Sequence, residues 1–182
     1  MDEKSLVRYR GLYDWMQSIV MVFLAVIFLL TFVGRMMSVQ MDSMTPTLLE
    51  DDRMIVRSVF YSPRRGDVVI FAKQEFQDGT ALVKRIIALE GDRVAINTET
   101  GIVYVNDVAL DEPYTNGPTN MAGNISYPYT VPPGHVFVIG DNRNHSLDSR
   151  HIEIGSVDER ELIGQVVAVI TPFDRAGFLR NR

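Results

Sequence analysis

The longest apolar run in the chain, WMQSIVMVFLAVIFLLTFVG from Trp15 to Gly34, contains no charged residue. As a helix of roughly 20 residues it would cover the ~30 Å hydrocarbon core of a bilayer. A buried helix of a soluble protein usually keeps a polar stripe, whereas here apolar residues occupy every side beyond Ser18. The run is also longer than the apolar region of a secretory signal peptide, and TFVGRMMSV offers no A-x-A-like cleavage site. It reads as an uncleaved anchor. Lys4, Arg8 and Arg10 precede it and Arg35 alone follows in the equivalent distance, which predicts a cytoplasmic N-terminus with everything after Gly34 outside. LIGQVVAVITPF is too short to span, so the chain is expected to cross once.

From about Met37 the pattern changes to short β-rich runs with no long helical period and no internal repeat. Strands are predicted over 53–58, 67–72, 81–89, 93–97, 102–106, 135–140 and 165–170. Turn signals separate them at Pro63 to Gly66, Gly91-Asp92, Gly101, Asn106-Asp107 and Pro132-Pro133-Gly134. The segment from Asp111 to Tyr129 has scattered prolines and no clear period, and is expected to be a long surface excursion. The organisation is therefore a cytoplasmic 1–14, an anchor at 15–34 and one extracytoplasmic β-rich domain over 35–182.

Composition narrows the function. A formal net charge of -5 without blocks of like charge gives no nucleic-acid face. The absence of cysteine removes disulfides and thiolate metal sites. Three histidines, His135, His145 and His151, stand in no metal-ligand motif, so neither a zinc site nor any other metal or cofactor is expected.

Three polar stretches suggest chemistry. In MDSMTPTLLED, Thr45 would be the N-cap and Pro46 the first residue of a short helical turn. Ser43, a hydroxyl just ahead of that turn, would lie near N–H groups able to hold an oxyanion. In ALVKRIIAL, strand alternation places Leu82, Lys84, Ile86 and Ala88 on one face and Val83, Arg85, Ile87 and Leu89 on the other. A lysine set among apolar neighbours either carries its ammonium out to solvent or, if desolvated, loses its charge near neutral pH and becomes a base. GDNRNHSLDSR, from Gly140 to Arg150, is denser in donors and acceptors than a plain hairpin loop needs, either a polar turn network or a shell supporting reactive groups.

Together these stretches resemble the type I signal peptidases of the short, single-span, Gram-positive kind. SMTPTL from Ser43 is similar to the S-M-x-P-T-L nucleophile box, RGDVVIF from Arg65 to R-G-D-V-V-x-F, VKRIIALEGD to the lysine box, and GDNRNHSLDSR to G-D-N-R-x-x-S-x-D-S-R. The resemblance implies an all-β catalytic domain behind one transmembrane helix, resting on the outer membrane face. It implies Ser43 as nucleophile and Lys84 as general base, Ser146 as the serine that orients the lysine, and Asp141, Asp148 and Arg150 as supporting residues. Arg85 would pair with Asp141. Val39, Met41, Met44, Leu48, Leu82 and Val83 would line shallow pockets for small residues at -1 and -3 of an extended substrate.

Three positions depart from the pattern. Met41 stands where relatives carry glycine or serine, Ala88 and Glu90 alter the usual G-L-P-G-D, and Asn144 and His145 fill the variable pair of the last box. The implied function is removal of N-terminal signal peptides from exported preproteins after small residues, at Ala-x-Ala type sites. The implied partners are signal peptides of secretory preproteins and the lipid bilayer, with the secretion translocon a further candidate and no nucleic acid. Three other readings stand beside it: a triad of Ser43, His145 or His151, and Asp148; a self-cleaving serine-lysine protease of the repressor type, against which the anchor argues because such proteins are soluble; and a membrane-tethered β-domain that binds extended peptides without cutting them.

Overall fold

The computed structural model describes residues 3–28, 35–38, 42–73 and 80–179. A helix, α1 (Glu3–Phe28), opens the chain, and residues 11–27 are exposed on every side of it, Trp15 and Phe23 among them. Among the described residues no helix is long and apolar enough to cross a membrane. The expected span of 15–34 runs into 29–34, which lie outside those residues.

The rest is β-rich. In chain order the strands are β1 (Arg35–Ser38), β2 (Arg53–Arg57), β3 (Val68–Ala72), β4 (Ala81–Ala88), β5 (Arg93–Asn97), β6 (Ile102–Val105), β7 (Val108–Ala109), β8 (Tyr129–Thr130), β9 (His135–Ile139), β10 (Val157–Asp158), β11 (Leu162–Thr171) and β12 (Gly177–Phe178). The larger sheet runs β1-β2-β11-β3-β4-β9-β10, with β12 also on β11; the smaller runs β7-β6-β5-β8. Every pairing is antiparallel. Each predicted strand is present within three residues at either end. The two-residue strands went unpredicted, being too short to show a period.

Burial follows position in the sheet. β2 alternates, with Met54 and Val56 inward and Arg53 and Arg57 outward, as a strand with one covered face should. β3 and β4 lie centrally and bury nearly continuous apolar runs. Asn106 and Asp107, both at positive φ, form the two-residue turn between β6 and β7. At Gly164 the sheet closes tightly: a Cβ there would sit 2.5 Å from the Arg57 carbonyl oxygen, so β11 can approach β2 only with glycine.

The expected helix from Pro46 is absent. A 3-10 turn, Asp42–Met44, comes earlier, closed by the Thr45 N–H on the Asp42 carbonyl, and the chain then bends through 45–47. Met44 and Leu48 are both drawn fully into the core beside Met54, Val56, Val68 and Ile70, and the Leu48 N–H donates to the Met44 carbonyl in a single turn. That turn is not continued: Asp52 accepts the Leu49 N–H that a helical ladder would use.

Candidate active site

Strand alternation decides the environment of Lys84. It lies between Leu82 and Ile86 on one face of β4, a strand buried on both faces there, and both neighbours belong to a core shared with Val69, Phe71, Val136 and Val138. Its side chain has no exposed surface. The Nζ atom stands 2.7 Å from the Ser43 Oγ and 3.0 Å from the Val83 carbonyl oxygen. Burial, which disfavours the ammonium, lowers the pKa to about 8, and Arg150 adds to the lowering while Asp148 opposes it. Ser43 is 6% exposed, enough to be reached from one side. An amine neutral at slightly alkaline pH and within hydrogen-bond reach of a hydroxyl can accept that hydroxyl's proton.

The Gly140–Arg150 segment leaves β9 directly beside β4, since Arg85 pairs with Ile139 in the register. Arg85 and Asp141 form a buried bidentate ion pair, with Nε on Oδ1 at 2.9 Å and Nη2 on Oδ2 at 2.7 Å. Thr47 donates its hydroxyl to the same carboxylate, tying the bend after Ser43 to that pair. Asp148, also fully buried, accepts from the Gly140 N–H, from Arg150 through Nε and Nη2, and from the Ser146 hydroxyl at 2.6 Å. Burial alone would raise its pKa, but Arg150 and the remaining donors overcome this and hold the carboxyl below its ordinary range. Ser146 thus spends its proton on Asp148, and the hydrogen bonds of the Lys84 amine go to Ser43 and Val83.

Of the other candidates, Met44 and Leu48 have no exposed surface and Leu82 has 2%, all within the cores. Val83 is half-buried and retains surface that a substrate could touch. Val39 and Met41 lie outside the described residues. Among the described residues the Ser43 hydroxyl is bonded by Lys84 and no hydrogen bond joins it to either histidine: His145 is exposed and His151 leaves its Nδ1 without a partner.

Sequence reasoning missed a second layer. The excursion before β8 is a strap laid across the Gly140–Arg150 segment. Glu112 pairs bidentately with Arg143, Thr119 accepts from the same guanidinium, and Tyr114 stacks on Arg85 with 3.9 Å from guanidinium carbon to ring centroid. Asn116 bonds Asn142, and the Met121 carbonyl accepts from Arg150. Asn142 and Arg143 stood inside a quoted motif; Glu112, Tyr114 and Asn116 carried no signal, because their partners are far away in sequence.

The family model described as signal peptidase, peptidase S26, matches residues 12–171, which take in every site residue named above. The chain belongs to that family. It is 32% identical over 183 residues to Signal peptidase I of Bacillus licheniformis, covering 95% of this chain and 96% of that protein. To a probable signal peptidase I-2 of Synechocystis sp. it is 36% identical over 160 residues, covering 83% and 69%. A crystal structure of a signal peptidase I from Enterococcus faecalis is similar at 29% identity and a TM-score of 0.49, covering 59% of this chain and 98% of that one.

In this signal peptidase family member Gly140 is pressed between the Ser43 backbone and Ser146. A Cβ on it would fall 2.2 Å from the Ser146 Oγ and 2.4 Å from the Ser43 carbonyl oxygen. Gly140→Ala must therefore push the nucleophile segment away from β9. We expect the variant to fold with a loss of about 1 to 3 kcal/mol, as for other overpacked interiors. Its turnover should fall by about a hundredfold, the scale of a misplacement near 1 Å, checked by denaturant melts beside initial rates.

Proposed function

We propose that this chain is a membrane-anchored serine endopeptidase that removes N-terminal signal peptides from exported preproteins, cutting after small residues at Ala-x-Ala type sites. The observation that carries the reading is the Lys84 Nζ at 2.7 Å from the Ser43 Oγ, inside a pocket that lowers the lysine pKa to about 8. Neutral Lys84 takes the Ser43 proton as Oγ attacks the carbonyl after the -1 residue. The Ser43 N–H and a neighbouring donor hold the oxyanion. The Lys84 ammonium then protonates the leaving amine, and water attacks the acyl-enzyme under the same base. The Asp148–Arg150 and Arg85–Asp141 pairs fix the walls around the two groups.

The anchor is proposed over 15–34, with the N-terminus cytoplasmic and the catalytic domain outside. It is supported by the apolar residues exposed all around α1, including Ile19, Val22, Leu24 and Ile27, which no other part of the described structure covers. A site held at the bilayer surface would meet the cleavage bond of a signal helix as it emerges, and partners would then be signal peptides, lipid and, as a further proposal, the translocon.

The test is cleavage of a preprotein with an Ala-x-Ala site by the detergent-solubilised chain, with the cut located by mass spectrometry. Cleavage after the -1 alanine that disappears in Ser43→Ala is expected. A double replacement of His145 and His151 by glutamine should leave turnover within about twofold of the parent, since a general base that acts is worth far more. Loss of turnover in that double variant would reinstate a histidine base, and no cleavage by the folded parent would sink the peptidase reading.

A further inference from the structure

The peptide unit between Asp42 and Ser43 matters beyond its place in the turn. Its C=O and N–H lie in one plane and point in opposite directions, so whatever fixes the Asp42 oxygen also aims the Ser43 N–H. Two donors fix that oxygen: the Thr45 N–H at 3.0 Å, closing the 3-10 turn, and the Asn142 Nδ2 at 3.2 Å. The backbone N–H of Asn142 meanwhile donates to the Ser43 carbonyl at 3.0 Å. One residue of the Gly140–Arg150 segment thus grips the peptide planes on both sides of the nucleophile.

The side-chain amide of Asn142 has its orientation dictated from outside. A backbone carbonyl can only accept, so Nδ2 must face Asp42 and Oδ1 must face away. There it accepts from the Asn116 Nδ2 at 2.6 Å, and Asn116 is itself held by its N–H on the Asp141 carbonyl. The chain of donors runs from the strap through Asn116 and Asn142 to Asp42 and ends at the Ser43 N–H. Each bond polarises the next toward a stronger final donor.

We propose that Asn142, oriented by Asn116, is a positioning residue that aims and polarises the Ser43 N–H toward the substrate oxyanion. The proposal rests on the Ser43–Lys84 reading above and assigns the strap a part in the reaction. Asn142 touches neither the substrate bond nor Lys84; it acts through the Asp42–Ser43 peptide. It therefore serves the transition state, where the oxygen is charged, more than the bound substrate, whose carbonyl is neutral.

The experiment uses the full chain in detergent and compares Asn142→Ala and Asn116→Ala with the parent. Three quantities are read: kcat and KM across pH 6 to 10, affinity for a peptide boronate that forms a tetrahedral adduct on Ser43, and affinity for the same peptide with its scissile carbonyl reduced. For Asn142→Ala we expect kcat to fall by about 10- to 100-fold, less than the 10²–10³ seen when an oxyanion donor is removed outright. KM and reduced-peptide affinity should stay within about twofold, boronate affinity should fall with kcat, and the rising limb of the pH profile should not move. Asn116→Ala, on an exposed loop, should show the same pattern at about fivefold and add nothing further once Asn142 is already alanine. If Asn142→Ala does not fold, Asn116→Ala decides alone.

Equal weakening of both peptide probes would assign Asn142 to substrate docking. A displaced pH limb would assign it to Lys84, and an unchanged kcat would leave it a structural residue; each of these overturns the proposal. Normal Ser43-dependent cleavage by the parent alongside any of them leaves the proposed function standing. A parent with no Ser43-dependent cleavage removes both.

Discussion

Replacing Lys84 with methionine should lower kcat/KM by about 10³ or more, the scale of an essential general base, while making the protein more stable at pH 7. The two effects have one cause. In the folded chain burial brings the lysine pKa down from 10.5 to about 8, so between those values the unfolded chain holds a proton that the folded chain does not. Wild-type stability therefore rises with pH across that window, and below about pH 8 the folded state bears the full cost of a buried ammonium. At about 1.4 kcal/mol per unit that cost is about 3 to 4 kcal/mol, of which methionine should recover about 1 to 3 after the bonds to Ser43 and Val83 are lost. Urea melts of both proteins at pH 7 and pH 10.5 check it: the methionine variant leads at pH 7 and the gap narrows at the higher pH. Wild-type turnover should climb through a limb near pH 8 and level off above it. A wild-type limb near 10.5 would mean that the amine is hydrated.

Asp148→Asn should be strongly destabilising and should also move the rate profile. The carboxylate accepts from Gly140, Ser146 and Arg150, and Arg150 is buried with it. Removing its charge leaves a guanidinium uncompensated in the interior, at a cost of about 3 to 5 kcal/mol. Asp148 also favours the charged form of Lys84 while Arg150 opposes it. Within that pair the asparagine variant keeps only the opposing influence, so the rising limb of kcat shifts to lower pH. Chemical denaturation gives the first quantity and the pH profile the second. A limb that stays where it is in the wild type would show that Lys84 does not feel this pair.

Legibility of the site divided along physical lines. Ser43, Lys84 and the Gly140–Arg150 segment stood out because each places polar chemistry where local pattern calls for apolar or turn residues. Alternation along ALVKRIIAL was enough to sandwich Lys84 between Leu82 and Ile86. The bend at Pro46 was misread as a helix start because the local preference for proline at a first helical position carries no sign of Asp52, whose carboxylate takes the Leu49 N–H that a helix would need. Glu112, Tyr114, Asn116 and Thr119 were invisible for a different reason. Their stretch reads as ordinary turn composition, and what makes them matter is contact with Arg85, Asn142 and Arg143, more than twenty residues away in every case.

The order of strands in the larger sheet carries one more implication. Ser43 precedes β2 and Lys84 belongs to β4, yet in that sheet β2 reaches β3 and β4 only across β11, which is made late. A chain still emerging from the ribosome holds both residues early but has no sheet to bring their strands into one layer until Leu162 to Thr171 is available. The two residues can therefore come face to face only once β11 has joined the sheet, a delay written into the strand order.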